Sequence, residues 1–246
     1  MIALTNLAKS FQGLPVLAGV DLEVPTGSFT VLIGPSGCGK STLLDVITGV
    51  CPRDAGELSW QGRRQDDLRG AAAYMQQNDL LLPWRSLLEN ALLPAEVAGR
   101  DLCAARRQAG ELLARMGLAG FEHHRPHMVS GGMRQRCALV RTLMFERPII
   151  LLDEPFASLD AITRRRLHRL LLLLPTDFGR TILMITHDIE EALMLADQLL
   201  VASPPPMRVR GRWRLTHPKP RRPEDPDLLR IRGEVLALLE DAEGGA

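Results

Sequence analysis

The sequence predicts an α/β fold: a mostly parallel sheet core, an antiparallel β part and an inserted helical subdomain. Three observations predict it. From residue 148 to 202, apolar runs of strand length alternate with helical patterns, an order that gives parallel strands covered by helices. An apolar run passes directly into a glycine-rich segment, Gly34–Gly39, and then into a helical pattern. The stretch from about Ser86 to Met116 is rich in Leu, Ala, Glu and Arg at helical spacing and interrupts the strand patterning on either side.

The elements follow in order. The N-terminal stretch reads as strands, with Val16–Val24 and Ser28–Ile33 separated by the turn Pro25-Thr26-Gly27. Lys40–Gly49 reads as a helix, Glu57–Trp60 and Ala71–Met75 as short strands. After the helical middle come strand Pro148–Leu152, helix Ala161–Leu174, strand Thr181–Ile185, helix Ile189–Ala196 and strand Gln198–Ala202. Pro204-Pro205-Pro206 marks a connection to a strand spanning Arg208–Arg214 and a final helix from about Asp227 to Asp241, with Glu243–Ala246 expected to fray. The expected division is 1–202 for the main domain, with the helical subdomain at about 78–147, and 203–246 for a short strand-and-helix extension.

Composition narrows the function classes. The chain has 246 residues, 46% of them hydrophobic and only 4% aromatic, so aliphatic side chains fill the core and most of the chain is not disordered. Thirty basic against 29 acidic residues leave a net charge of +1, which gives no global attraction to nucleic acid or anionic membranes. The apolar runs Leu170–Leu174 and Ile149–Leu152 are far below the roughly 20 residues of a membrane-spanning helix. Any membrane role is therefore expected to be peripheral. The N-terminus lacks the pattern of a signal peptide, and Cys38, Cys51, Cys103 and Cys137 are scattered without a C-x-x-C pair, which fits a reducing compartment.

The glycine-rich segment carries the chemistry. Gly34-Pro35-Ser36-Gly37-Cys38-Gly39-Lys40-Ser41 fits G-x-x-x-x-G-K-[ST], with Thr42 next. Glycines let consecutive backbone N–H groups turn toward phosphates, and the following helix brings its positive end to the same place. Lys40 reaches β and γ phosphates, and the Ser41 hydroxyl suits Mg²⁺. A second carboxylate for the metal stands at the end of an apolar strand, Asp153 after Ile149–Leu152. Its neighbour Glu154 is the candidate general base toward water. Alone, Asp153-Glu154 would equally be an acidic turn after a core strand; beside a phosphate loop the metal-and-base reading prevails.

Further motifs follow in fixed order: Val129-Ser130-Gly131-Gly132-Met133-Arg134-Gln135-Arg136, then Leu151-Leu152-Asp153-Glu154-Pro155, then Ser158-Leu159-Asp160, then His187. In this set and order the chain resembles the ATPase subunits of ABC transporters, up to about residue 202. The resemblance implies a P-loop NTPase fold and hydrolysis of ATP with Mg²⁺. It implies that Phe11 stacks on adenine and that Gln77, six residues before Pro83 and preferred to its neighbour Gln76, contacts Mg²⁺ and the attacking water. Ser130, Gly131 and Gly132 look like the signature motif, which binds the γ-phosphate held by a second copy in a head-to-tail ATP sandwich. Asp160 resembles the residue that communicates across that dimer, and His187 the switch histidine on the γ-phosphate. Asp188 and Glu191 have the spacing of a helix start, so Asp188 is expected to cap.

The common signature begins with Leu and ends with Gln, where this chain has Val129 and Met133. Met at that place, together with Leu81–Asn90, resembles the nitrate, sulfonate and taurine importer branch, to which importers of pyrimidine precursors are related. The resemblance then implies an integral membrane permease as partner and a solute-binding protein acting indirectly. It also implies a peripheral position on the cytoplasmic face of the inner membrane, and no nucleic-acid partner. The loop after Gln77 would receive the permease, with Leu80, Leu81, Leu82 and Trp84 apolar either for that contact or for packing. An exporter ATPase, a soluble ABC ATPase without a permease, and a nucleotide-gated scaffold without turnover stay open as alternatives.

Three signals point elsewhere only weakly. His123, His124 and His127 are interrupted by Pro126 and read as a solvated loop rather than a metal site. Arg208, Arg210, Arg212 and Arg214 alternate along one strand face, with Lys219, Arg221 and Arg222 nearby. A charge-protected sheet edge is favoured over contact with nucleic acid or anionic lipid. Cys38 at a helix start has either a lowered pKa or the role of an inert filler.

Overall fold

A computed structural model of the protein describes residues 1–157 and 159–243, with side chains through Asp241. Ser158 of the Ser158-Leu159-Asp160 motif and the terminal residues 244–246 lie outside the described residues.

Two sheets organise the chain. Strands β1 (Ile2–Phe11), β2 (Leu14–Val24), β4 (Ala55–Trp60) and β5 (Arg63–Gln65) form an antiparallel sheet in the order β2-β1-β4-β5. Strands β3 (Phe29–Ile33), β6 (Ala72–Met75), β7 (Ile149–Asp153), β8 (Thr181–Ile185), β9 (Gln198–Ala202) and β10 (Val209–Arg214) form the second, in the order β10-β9-β3-β8-β7-β6. Its strands run parallel except β10, which pairs antiparallel with β9. The expected mostly parallel core with an antiparallel part is therefore present.

Strands β3, β7 and β8 are buried at every residue, as parallel strands covered on both faces must be. Their side chains still alternate. Phe29, Val31, Ile33, Ile150, Leu152, Ile182 and Met184 join one core. Leu32, Ile149, Leu151, Leu183 and Ile185 join the other. The first core holds α2 (Leu87–Val97), α3 (Leu102–Arg115), α4 (Gly131–Leu143), α5 (Ala161–Phe178), α6 (Ile189–Leu195) and α7 (Pro226–Glu243). The second holds α1 (Lys40–Thr48) and the antiparallel sheet.

Local chemistry explains the helix ends. Ser86 and Glu89 make a reciprocal capping box at the start of α2. Gly49 and Gly179 close α1 and α5 in the left-handed conformation. Helix α5 runs through Pro175 to Phe178, four residues past the predicted end at Leu174. The β10 edge carries Arg210, Arg212 and Arg214 exposed, while Val209, Gly211 and Trp213 face inward, which is the charge-protected edge the sequence favours. A 3-10 turn at Pro126–Met128 separates the histidines before α4.

Candidate active site

The site begins where β3 ends. The chain turns through the glycine-rich loop and enters α1 at Lys40, with Gly39 capping the helix at φ 110°. A side chain there would be strained, and its Cβ would meet Val16 Cγ1 at 2.8 Å, so only glycine fits. Lys40 is 6% exposed, and its ammonium donates to the carbonyls of Gly34 at 2.8 Å and Pro35 at 2.7 Å. The loop thus curls around the lysine head. Cys38 is fully buried in the core beneath it; burial pushes its thiol above the usual range despite the neighbouring Lys40. Of its two readings, the inert filler holds.

Above the loop lies an open cavity of about 350 Å³, lined by Phe11, Val16, Ser36, Gly37, Gly39, Lys40, Ser41, Thr42, Gln77 and Glu154. Nine of these ten were singled out from the sequence, and they come from four separate stretches of chain. The Phe11 ring is half exposed, with the Lys9 ammonium 5.2 Å from its centroid.

The acidic wall is built by β7. Asp153 ends the strand 2% exposed and accepts a hydrogen bond from the Ser41 hydroxyl. Burial raises its pKa above the ordinary carboxyl range, and the Ser41 bond only partly opposes this. Glu154 follows at φ 48°, a left-handed backbone uncommon outside glycine, which swings its carboxylate into the cavity. Two bonds hold it there: its N–H donates to Ile185 O at 2.9 Å, and its carbonyl accepts from Gln135 Nε2 at 2.9 Å.

The Glu154 carboxylate gathers the other two residues to which the resemblance gives a part in hydrolysis. Gln77 Nε2 donates to Oε2 at 3.4 Å, and His187 Nδ1 lies 3.3 Å from the same oxygen. Gln76 is not in the cavity lining, so Gln77 is the glutamine of the site. Asp188 caps α6 by accepting from Glu190 N at 2.8 Å and Glu191 N at 3.1 Å, as its spacing predicts. Asp160 caps α5 by accepting from Ile162 N and Thr163 N, and those bonds hold its carboxyl below the usual range.

Ser130, Gly131 and Gly132 stand at the start of α4, with Ser130 Oγ accepting from Met133 N. Among the described residues they do not line the Glu154 cavity of their own chain. The loop after Gln77 is pinned to the same helix. Arg141 donates to the carbonyls of Asp79 and Leu80, and Arg134 pairs with Asp79 at 2.9 Å. In that loop Leu80 and Trp84 are exposed, at 54% and 67%, while Leu81 is 8% exposed and belongs to the core. The expectation of a shared apolar surface is corrected for Leu81: it packs.

Gln135 is the residue that sequence reasoning missed. It is buried in α4, and its role is visible only once the fold brings it beneath Glu154. The sequence signal was its place in the Arg134-Gln135-Arg136 run.

A family profile described as ABC transporter matches residues 17–157. The chain belongs to the ABC transporter family. It is 43% identical over 209 residues to the taurine import ATP-binding protein TauB of Yersinia pestis bv. Antiqua (strain Antiqua), covering 85% of this chain and 82% of that one. To the aliphatic sulfonates import ATP-binding protein SsuB 1 of Rhizobium johnstonii it is 38% identical over 244 residues, covering 99% and 88%. Among solved structures it is similar to the ATP-binding cassette MJ0796 in a dimeric post-hydrolysis state bound to ADP and Pi. That similarity has a TM-score of 0.81 at 30% identity, covering 88% of this chain and 100% of that one. The fold is that of an ABC ATPase cassette.

Proposed function

We propose that this ABC protein binds and hydrolyses ATP to energise an importer of small sulfonate- or taurine-type solutes. The observation that carries the hydrolytic reading is the convergence of Gln77 and His187 on one carboxylate oxygen of Glu154, at the mouth of a phosphate-loop cavity. The import reading rests on the relatives, which are import ATP-binding proteins for taurine and aliphatic sulfonates.

In the chemical step Glu154 orients the attacking water and accepts its proton. Lys40 and the backbone N–H groups of the loop from Gly34 to Thr42 hold the phosphates and stabilise charge on the transferred group. His187, beside Glu154, contacts the γ-phosphoryl oxygens, and Gln77 steadies Glu154 and the water. Phe11 supports the adenine. The Ser41 hydroxyl, Asp153 and Gln77 supply hard oxygen donors that fit Mg²⁺, and the buried, desolvated Asp153 carboxylate favours a cation beside it. When bound, the ion shields the charge of the β and γ phosphates.

Two copies close head to tail over two ATP molecules. The start of α4, with Ser130, Gly131 and Gly132, meets the γ-phosphate of the other copy, and Asp160 lies on the same interface. The exposed Leu80 and Trp84 face an integral membrane permease, to which a solute-binding protein delivers the solute. We assign residues 1–202 to the ATPase domain, with the helical subdomain at about 78–147, and 203–246 to an extension. Among the described residues no helix is long and apolar enough to cross a membrane, which fits a peripheral subunit on the cytoplasmic face.

Two measurements test this. Glu154→Gln, isosteric but unable to take a proton, is expected to abolish steady-state ATPase activity and to elute as an ATP-dependent dimer in size-exclusion chromatography. Wild-type turnover in that variant would overturn the role of Glu154. Tagged chain drawn from membranes is expected to bring a permease with it, and addition of the solute-binding protein loaded with taurine or an alkanesulfonate is expected to raise ATPase activity. Recovery of soluble partners alone, with ATPase intact, would overturn the transport assignment.

A further inference from the structure

The catalytic reading leaves a buried polar cluster behind His187 without a role. His187 lies in the turn between β8 and α6, flanked by Thr186 and Asp188. Thr186 Oγ1 donates to Glu191 Oε2 at 2.7 Å and accepts from Asp188 N at 3.1 Å. Glu191 is 6% exposed, so its carboxylate sits in the core and needs a compensating charge. Arg164, one turn into α5, supplies it: Nε lies 3.4 Å from Glu191 Oε1. The same guanidinium donates through Nη1 to Asp188 Oδ2 at 3.4 Å and through Nη2 to the Leu159 carbonyl at 3.0 Å. One planar fork therefore joins three things: the segment entering Asp160, the cap of the helix that follows His187, and the buried carboxylate that holds Thr186.

We propose that Arg164 is a positioning residue for ATP hydrolysis, locking the His187 turn to the Leu159–Asp160 segment so that His187 stays against Glu154. This rests on the reading of His187 and Glu154 as hydrolytic residues. Arg164 touches neither the cavity nor the nucleotide loop; it acts through the turn that carries His187. The geometry requires a fork. Guanidinium offers five N–H donors in fixed directions, whereas a lysine ammonium is a single point at the end of a flexible stem and cannot serve three acceptors that lie in different directions. A partly exposed ion pair of merely structural value would contribute about 0–1 kcal/mol and leave turnover alone.

The test is ATPase kinetics of the full chain carrying Arg164→Lys or Arg164→Ala, each alone and combined with His187→Ala, with single-turnover assays where rates are low. Each single variant is expected to lower kcat about tenfold, the scale of a modest misplacement of a catalytic group, with KM for ATP within about twofold of wild type. In the His187→Ala background, removing Arg164 is expected to cost less than about twofold further, because the group it positions is gone. Wild-type kcat in Arg164→Lys would overturn the proposal, showing that charge alone suffices. So would losses from His187→Ala and Arg164→Ala that multiply independently. Should Arg164→Ala fail to fold, Arg164→Lys still decides the matter. If His187→Ala alone leaves kcat unchanged, the hydrolytic role of His187 fails, and the proposal for Arg164 falls with it for that separate reason.

Discussion

The side-chain amide of Gln135 donates to the backbone carbonyl of Glu154 at 2.9 Å, which ties α4, the helix beginning at the signature serine, to the residue at left-handed φ that carries the general base. Gln135→Ala removes the donor while leaving a carbonyl in the core. We expect kcat for ATP to fall about tenfold with KM nearly unchanged, because Glu154 loses its aim rather than its charge. Stability should drop by about 1–2 kcal/mol, as for a buried carbonyl left without its partner. Steady-state ATPase assays and urea denaturation of the same preparation separate the two effects.

Asp153 is held in the core as an unfavourably desolvated carboxylate. Its folded pKa lies above the unfolded one, so the folded state binds more protons over that range and stability rises as pH falls through it. Asp153→Asn removes the penalty. Its thermal midpoint at pH 7 is expected to exceed that of wild type, with the gain shrinking as pH approaches the carboxyl range. ATPase activity should fall at least about 100-fold, since a charge aimed at the reacting phosphates is gone. A midpoint below wild type at pH 7 would contradict the account.

His168 behaves in the opposite sense. Burial, helped by Arg164, lowers its pKa from 6.5 to about 4, while Asp188 opposes the shift. The unfolded chain therefore binds the proton first, and stability is lost as pH falls from 6.5 toward 4. Between pH 7 and pH 5 this one residue should remove about 2 kcal/mol. His168→Phe keeps a ring against Phe156, which His168 meets edge-on at a centroid distance of 4.7 Å. Urea midpoints measured across that pH range should slope less steeply in the variant.

Arg221 anchors the C-terminal extension. Its guanidinium is 9% exposed and donates to four carbonyls: His217 at 3.1 Å, Leu193 at 2.7 Å, Ala196 at 2.6 Å and Leu215 at 2.9 Å. Arg221→Ala strands these acceptors and should destabilise the chain by about 2–4 kcal/mol. Arg221→Lys should recover only part of that, because an ammonium reaches fewer of the four. Chemical denaturation of the three proteins gives the ranking.

Much of this was legible before the fold was seen, and the reasons are physical. The phosphate loop, Asp153 and Glu154 declare themselves because their chemistry needs fixed residue types at fixed spacing. The fully buried strands β3, β7 and β8 read as unbroken apolar runs. Strand β1 received no bounds of its own, because its alternation is interrupted at Asn6, which sits at φ 49° and breaks the register with β2. Strand β5 is Arg63-Arg64-Gln65, polar throughout, and exists only because β4 offers it a partner. Leu81 and Leu80 are adjacent and alike in sequence; only packing separates a core residue from an exposed one. Gln135 was invisible for a related reason, since its partner is a backbone carbonyl 19 residues away.

The alternation of side chains across β3, β7 and β8 divides the molecule's interior in two, and the division runs between gripping and reacting. Cys38, Leu43 and Leu44, under the phosphate loop, belong to one half; Phe156 and Leu159, beyond Glu154, and Ala192, beyond His187, belong to the other. Changes in packing on one side of the sheet therefore act on how tightly nucleotide is held, and changes on the other on how fast it is cleaved. A lineage of such proteins can adapt its turnover to a new permease by repacking one interior while its hold on ATP is inherited intact through the other.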